Sequence, residues 1–73
     1  MNDQLKEERL SDTDLNRVFD VLKQYGFEPL MSGQEFVKGR KKVFISAFGF
    51  TWQDNRYVEH DLTAYEILQR IKK

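Results

Sequence analysis

Apolar positions along this 73-residue chain fall into three patterns, and each predicts an element. Between Ser11 and Tyr25, Leu15, Val18, Phe19, Leu22 and Tyr25 recur at the i, i+3, i+4, i+7 spacing of one helical stripe, with Val21 beside it. Ser11 is the expected N-cap, Asp14 follows three residues later, and Leu10 and Leu15 stand at the spacing of a hydrophobic staple. Asp12 and Asp14 favour the positive end of the helix. The helix should stop at Tyr25. Gly26 supplies a left-handed residue, Phe27 falls where a Schellman cap returns to Leu22, and Pro29 forbids continuation.

The second pattern is the longest apolar run, Lys41 to Gln53 (KKVFISAFGFTWQ), rich in β-branched and aromatic residues. Read as one central strand, it places Phe44, Ser46, Phe48, Phe50 and Trp52 on one face and Val43, Ile45, Ala47, Gly49 and Thr51 on the other. A weaker strand over Leu30 to Lys38 precedes it, interrupted at Ser32 and Gly33 and joined through a two-residue turn at Gly39-Arg40. That turn sets Phe36 opposite Val43 and Glu35 opposite Phe44. A second turn at Asp54-Asn55 sets Trp52 across from Tyr57 and Thr51 across from Val58. The third pattern is a closing helix from Thr63, with Thr63 and Glu66 as a capping box, Leu62 and Ile67 as a staple, and a stripe of Ala64, Ile67, Leu68 and Ile71.

The expected fold class is therefore α+β: a two-layer α-β-β-β-α sandwich, with two helices packed on one face of a three-stranded antiparallel meander. Val37, Phe44, Phe48, Phe50, Trp52 and Tyr57 share one face of that meander. Residues 1–10, polar apart from Met1, Leu5 and Leu10, read as a flexible N-terminal arm, and residues 11–73 as a single domain. Two narrow helical stripes cover only one face of a sheet. Either the aromatic face is core, leaving Val43, Ile45, Ala47, Thr51 and Val58 wet, or it is a docking platform.

Composition narrows the function. A chain this short lies near the lower size limit for folding without staples, and it contains no cysteine, so its ten aromatic residues must make an efficient core. Without a cationic-then-apolar leader or an 18-residue apolar run, the expectation is a soluble cytoplasmic protein with no membrane association. No clustered ligands suggest a metal, and no cofactor is expected. The formal net charge is zero, which removes the simplest argument for a nucleic-acid binder. Charge is nevertheless divided: residues 1–28 carry seven acids and four bases, and residues 29–73 carry five acids and eight bases.

Two surface constellations remain. The aromatics Phe48, Phe50, Trp52 and Tyr57 are candidate contacts for a protein partner or for unpaired bases. The bases Lys38, Arg40, Lys41 and Lys42, with Arg56 on the next turn, are either solvated turn residues that discourage edge pairing or a phosphate-contacting rim. His60, the single histidine, has Glu59 and Asp61 beside it but no identifiable nucleophile, so no catalytic residue is assigned and no enzymatic activity is expected.

The stretch VFDVLKQYGFEP, a strand pair about a short turn, and the closing TAYEILQRIKK resemble in order and spacing the HicA-type toxins, small mRNA interferases with a double-stranded-RNA-binding-like fold. The resemblance covers roughly residues 15–71 and implies the α-β-β-β-α topology. It does not extend to activity: the family's catalytic histidine belongs on the first strand, which here reads LMSGQEFVK. The reading is a small non-catalytic protein-binding module, an adaptor, inhibitor or regulator of the kind carried by phages and other mobile elements. The alternative is an RNA-binding module using the basic hairpin 38–42 and the sheet aromatics. An open sheet edge, the first strand foremost, offers a route to a homodimer.

Overall fold

The computed structural model describes residues 10–72. Its elements are α1 (Asp12–Gln24), β1 (Glu28–Leu30), a 3-10 turn (Met31–Gly33), β2 (Glu35–Lys38), β3 (Lys41–Ile45), β4 (Phe50–Asp54), β5 (Tyr57–Leu62) and α2 (Ala64–Ile71). The α+β class is as expected, but the sheet has five antiparallel strands in the order β1-β2-β3-β4-β5 and not three. Among the described residues no helix is long and apolar enough to cross a membrane.

Both helices begin and end as their capping residues dictate. The Ser11 hydroxyl accepts the Asp14 N–H at 3.1 Å. At the other end Gly26 takes φ +86°, the Gly26 N–H donates to the Lys23 carbonyl and the Phe27 N–H to the Leu22 carbonyl, which is the Schellman pattern. Phe27 is thereby folded back into the core with Leu22, while Tyr25, expected to end the buried stripe, is the exposed C-cap. In α2 the capping box is complete: Thr63 Oγ1 accepts the Glu66 N–H at 3.1 Å, and the Glu66 carboxylate accepts the Thr63 N–H at 2.8 Å.

The two extra chain reversals, and the shift of an expected one, have physical causes. The weak strand over 30–38 is two strands, because Met31, Ser32 and Gly33 take φ values of +52°, +58° and +88° and turn Glu28–Leu30 back along Glu35–Lys38. The run 41–53 is also two strands. Ser46 closes a tight reversal by donating its N–H and hydroxyl to the Gly49 carbonyl, both at 3.0 Å. Its Oγ also accepts the Phe48 and Gly49 N–H groups at 3.2 and 3.1 Å. The last hairpin turns at Asn55-Arg56, one residue later than expected, so Asp54 opposes Tyr57, Gln53 opposes Val58 and Trp52 opposes Glu59. A bulge with Asp61 at φ +58° then brings Leu62 opposite Phe50. Only the Gly39-Arg40 hairpin has the register expected, Phe36 with Val43 and Glu35 with Phe44.

The reversal at Ser46–Gly49 changes which residues share a face. Val43 opposes Trp52 and Ile45 opposes Phe50, so odd positions of β3 lie on the same side as even positions of β4. That side is buried. Phe36, Val43, Phe50, Trp52 and Leu62 form one core with Phe27, with Val18 and Leu22 of α1, and with Ile67, Leu68 and Ile71 of α2. The Phe19 and Phe36 rings lie 5.7 Å apart and those of Phe27 and Trp52 6.5 Å apart, in tilted arrangements. The six residues expected on one face are consequently divided. Phe50, Trp52 and Tyr57 are on the side of the core, Val37 and Phe44 on the opposite side, and Phe48 in the turn. Residues 1–9 of the expected arm lie outside the described residues. Leu10 packs against the core and donates its N–H to the Ala47 carbonyl at 2.9 Å.

Candidate functional site

The predicted site residues do not form one surface. Phe50 and Trp52 are core, at 1% and 6% exposure, and Phe50 is unavailable to any partner. Phe48 stands out from the Ser46–Gly49 turn at 60% exposure, and Tyr57 is also exposed. The basic run divides around its hairpin. Lys38 lies on the core side of β2, donates its ammonium to the Tyr25 carbonyl at 2.6 Å and stands 5.9 Å from the Phe27 ring, so it helps close the end of α1. Arg40 pairs with Asp54 at 3.4 Å. Lys41 is on the core side and Lys42 on the other, as neighbours in a strand must be. Arg56 occupies the opposite turn and is exposed.

Beside the last turn of α2, an open cleft of about 600 Å³ is lined by Lys41, Trp52, Asp54, Tyr57, Glu59 and Arg70. The register of β4 with β5 puts Glu59 beside Trp52, facing the last turn of α2. Arg70 of that turn grips both Glu59 oxygens, Nε to Oε1 at 2.5 Å and a terminal nitrogen to Oε2 at 3.0 Å. The Tyr57 hydroxyl donates to Oε2 at 2.8 Å. This hydrogen bond, with some desolvation and the carboxylate charge, holds the Tyr57 phenol above its ordinary value. The same carboxylate raises the Arg70 guanidinium. Tyr57, Glu59 and Arg70 thus satisfy one another, and the arrangement joins α2 to the edge strand of the sheet.

The face turned away from the core is different in character. Alternation brings Glu28 and Leu30 of β1, Glu35 and Val37 of β2, Lys42 and Phe44 of β3, Thr51 and Gln53 of β4, and Val58 and His60 of β5 to one side. Leu30 and Val58 are exposed, while Val37 and Phe44 are half-buried by their neighbours on the sheet. At one end Met31, Gln34, Glu35, Phe44 and Ile45 line a shallow groove of about 270 Å³. Met31 and Ser32 both hold the left-handed conformation that non-glycine residues adopt reluctantly, and this turn presents the Met31 thioether to solvent at 69% exposure.

His60 lies on this open face, its Nδ1 3.4 Å from Thr51 Oγ1 in an exposed setting. Among the described residues no group of three or more His, Asp or Glu side chains is placed to hold a metal ion. Sequence reasoning missed Leu30 and Met31 as surface residues, and it missed the Glu59 and Arg70 pair. The apolar residues were hidden by the misplaced reversals, and the ion pair by its dependence on the β4–β5 register. Comparisons of the chain with protein-family models, with curated proteins and with solved structures find no match.

Proposed function

We propose that the chain is a small non-catalytic module that binds another protein through the sheet face turned away from its helices. The observation that carries this reading is the composition of that face: the apolar side chains of Leu30, Val37, Phe44 and Val58 are interspersed there with Glu28, Glu35, Lys42, Thr51, Gln53 and His60. A face that mixes apolar side chains with polar groups of both charge signs has the composition of a non-obligate protein interface. Such an interface buries about 800 Å² on each partner, and among the described residues this is the broad sheet face without a helix against it. The Met31 groove at its end would take one apolar anchor side chain of the partner, with Glu35 at its rim to meet a neighbouring base. Adaptor, inhibitor and regulator are all roles within reach of such a module.

An RNA-binding reading would require the bases to converge on one phosphate track. Here Lys38 serves the α1 terminus, Arg40 meets Asp54, Lys41 and Lys42 face opposite ways, and the open face carries Glu28 and Glu35. Photo-crosslinking separates the two. A benzophenone side chain placed at Phe44 or Val58 is expected to form a protease-sensitive adduct in extracts of the source cells, whereas one at the helix residue Tyr65 forms none. Adducts destroyed by ribonuclease, or equal yields from position 65, would refute the assignment of the face.

A further inference from the structure

The two edges of the sheet differ in what they offer to another strand. Backbone direction alternates along a strand, so each residue turns its N–H and C=O either toward its neighbour in the sheet or outward. The two-residue turn at Gly39-Arg40 makes Lys38 with Lys41, and Phe36 with Val43, the hydrogen-bonded pairs of β2 and β3. The Ile45 N–H reaching the Gln34 carbonyl continues this alternation. Glu35 and Val37 therefore turn toward β1, where Leu30 and Glu28 meet them, and Pro29 between them faces outward. A proline there deletes the central donor of a three-residue edge, a common protection against pairing.

The β5 edge has no such protection over its first half. The turn at Asn55-Arg56 makes Asp54 with Tyr57, and Trp52 with Glu59, the hydrogen-bonded pairs. The N–H and C=O of Val58 and the N–H of His60 accordingly point away from the sheet. β5 is twice as long as β1, contains no proline, and shows Tyr57 at 57% and Val58 at 41% exposure along this border.

We propose that β5 is a homodimerisation strand, to which β5 of a second copy adds antiparallel about a twofold axis. The pairing that uses both outward donors sets Val58 opposite His60 of the second copy and joins two five-stranded sheets into one of ten. A second copy fits this edge for two reasons. A chain of zero net charge meets no overall repulsion from itself. The two Glu59 carboxylates that approach on the axis are each already held by the bidentate Arg70 and the Tyr57 hydroxyl of their own chain, so like charges are compensated before they meet. The proposal does not rest on the docking of a partner. It goes beyond that reading by making the open faces of two copies continuous.

One edge strand covers less than a standard interface, so the dimer is expected to dissociate in the range of roughly 10–100 µM. Sedimentation velocity of the full chain should show a shift from 8.8 kDa toward twice that mass over this range. Amide exchange by NMR should show protection of the Val58 and His60 N–H groups that grows with concentration, while those of Tyr57 and Glu59 are protected throughout. Val58→Pro removes an outward donor without touching a hydrogen bond to β4 and should remain monomeric at concentrations where the parent chain is dimeric. The exchange measurement on the parent chain decides the matter even if that variant does not fold. A monomer at every concentration, or a dimer in which the Val58 and His60 amides exchange freely, would overturn the proposal.

Discussion

Phe50→Ala is expected to cost the domain about 3–5 kcal/mol, while Phe44→Ala, six residues earlier in the same apolar run, should cost about 1 kcal/mol or less. Phe50 is almost completely buried between the sheet and the helices, and removing such a ring from a core typically costs about 3–5 kcal/mol through lost transfer energy and the cavity left behind. At about 0.05–0.15 kcal/mol per residue, a domain of this length has a total stability of roughly 4–11 kcal/mol, so that loss removes a third of the stability or all of it. Phe44 is on the opposite face and only half-buried, so its truncation leaves no enclosed cavity. Urea denaturation followed by circular dichroism distinguishes the two. Equal losses would mean that 41–53 runs as one strand with both rings on one side.

The second large effect is expected at Gly49. Its position is buried, and a Cβ built there would lie 3.1 Å from the Leu62 carbonyl oxygen. That oxygen belongs to the backbone of β5 just after its bulge and cannot rotate aside like a side chain. The Ser46 hydrogen bonds hold Gly49 in place from the other direction. Gly49→Ala should therefore force β4 and β5 apart at the Phe50–Leu62 pair and cost about 1–3 kcal/mol by overpacking, and Gly49→Val more. Ala47→Ser, on the exposed side of the same turn, should be close to neutral. A midpoint for Gly49→Ala within error of the parent would show that the close approach to Leu62 is absent in solution.

Both predictions test the reversal at Ser46–Gly49, and that reversal shows why part of the fold could be read in advance and part could not. Helix termini are written locally: Ser11, Gly26 with Phe27, and Thr63 with Glu66 carry their caps within three or four residues, and each formed as expected. The Gly39-Arg40 hairpin was legible for the same reason. The reversal at Ser46–Gly49 is apolar in composition, with Ala47 and Phe48 at its centre, and depends on one serine side chain satisfying three partners around Gly49. In sequence it is indistinguishable from the middle of a buried strand. Once it is missed, Phe44 is moved to the wrong face. The Met31–Gly33 reversal was hidden in a similar way, because Met31 and Ser32 adopt left-handed angles that their residue types do not advertise.

The site was legible to a lesser degree. Phe48 and Tyr57 are exposed as a contact surface requires, but Phe50 and Trp52 were claimed by the core and the basic run was dispersed by strand alternation and by Lys38 capping α1. The apolar residues of the open face, Leu30, Val37, Phe44 and Val58, come one from each of four strands. They share a face only when all four registers from β1 to β5 are known.

The central claim is that the helices cover the Phe50 and Trp52 side of the sheet and leave the Phe44 side to a partner. The single tryptophan tests it most directly, through the emission maximum and acrylamide quenching of the native chain. A blue-shifted emission that acrylamide barely quenches is the result this arrangement predicts, since Trp52 is packed against Phe27 and enclosed by the core. A red-shifted, freely quenched Trp52 would contradict it, placing the aromatic side in solvent and the helices on the face assigned here to the partner.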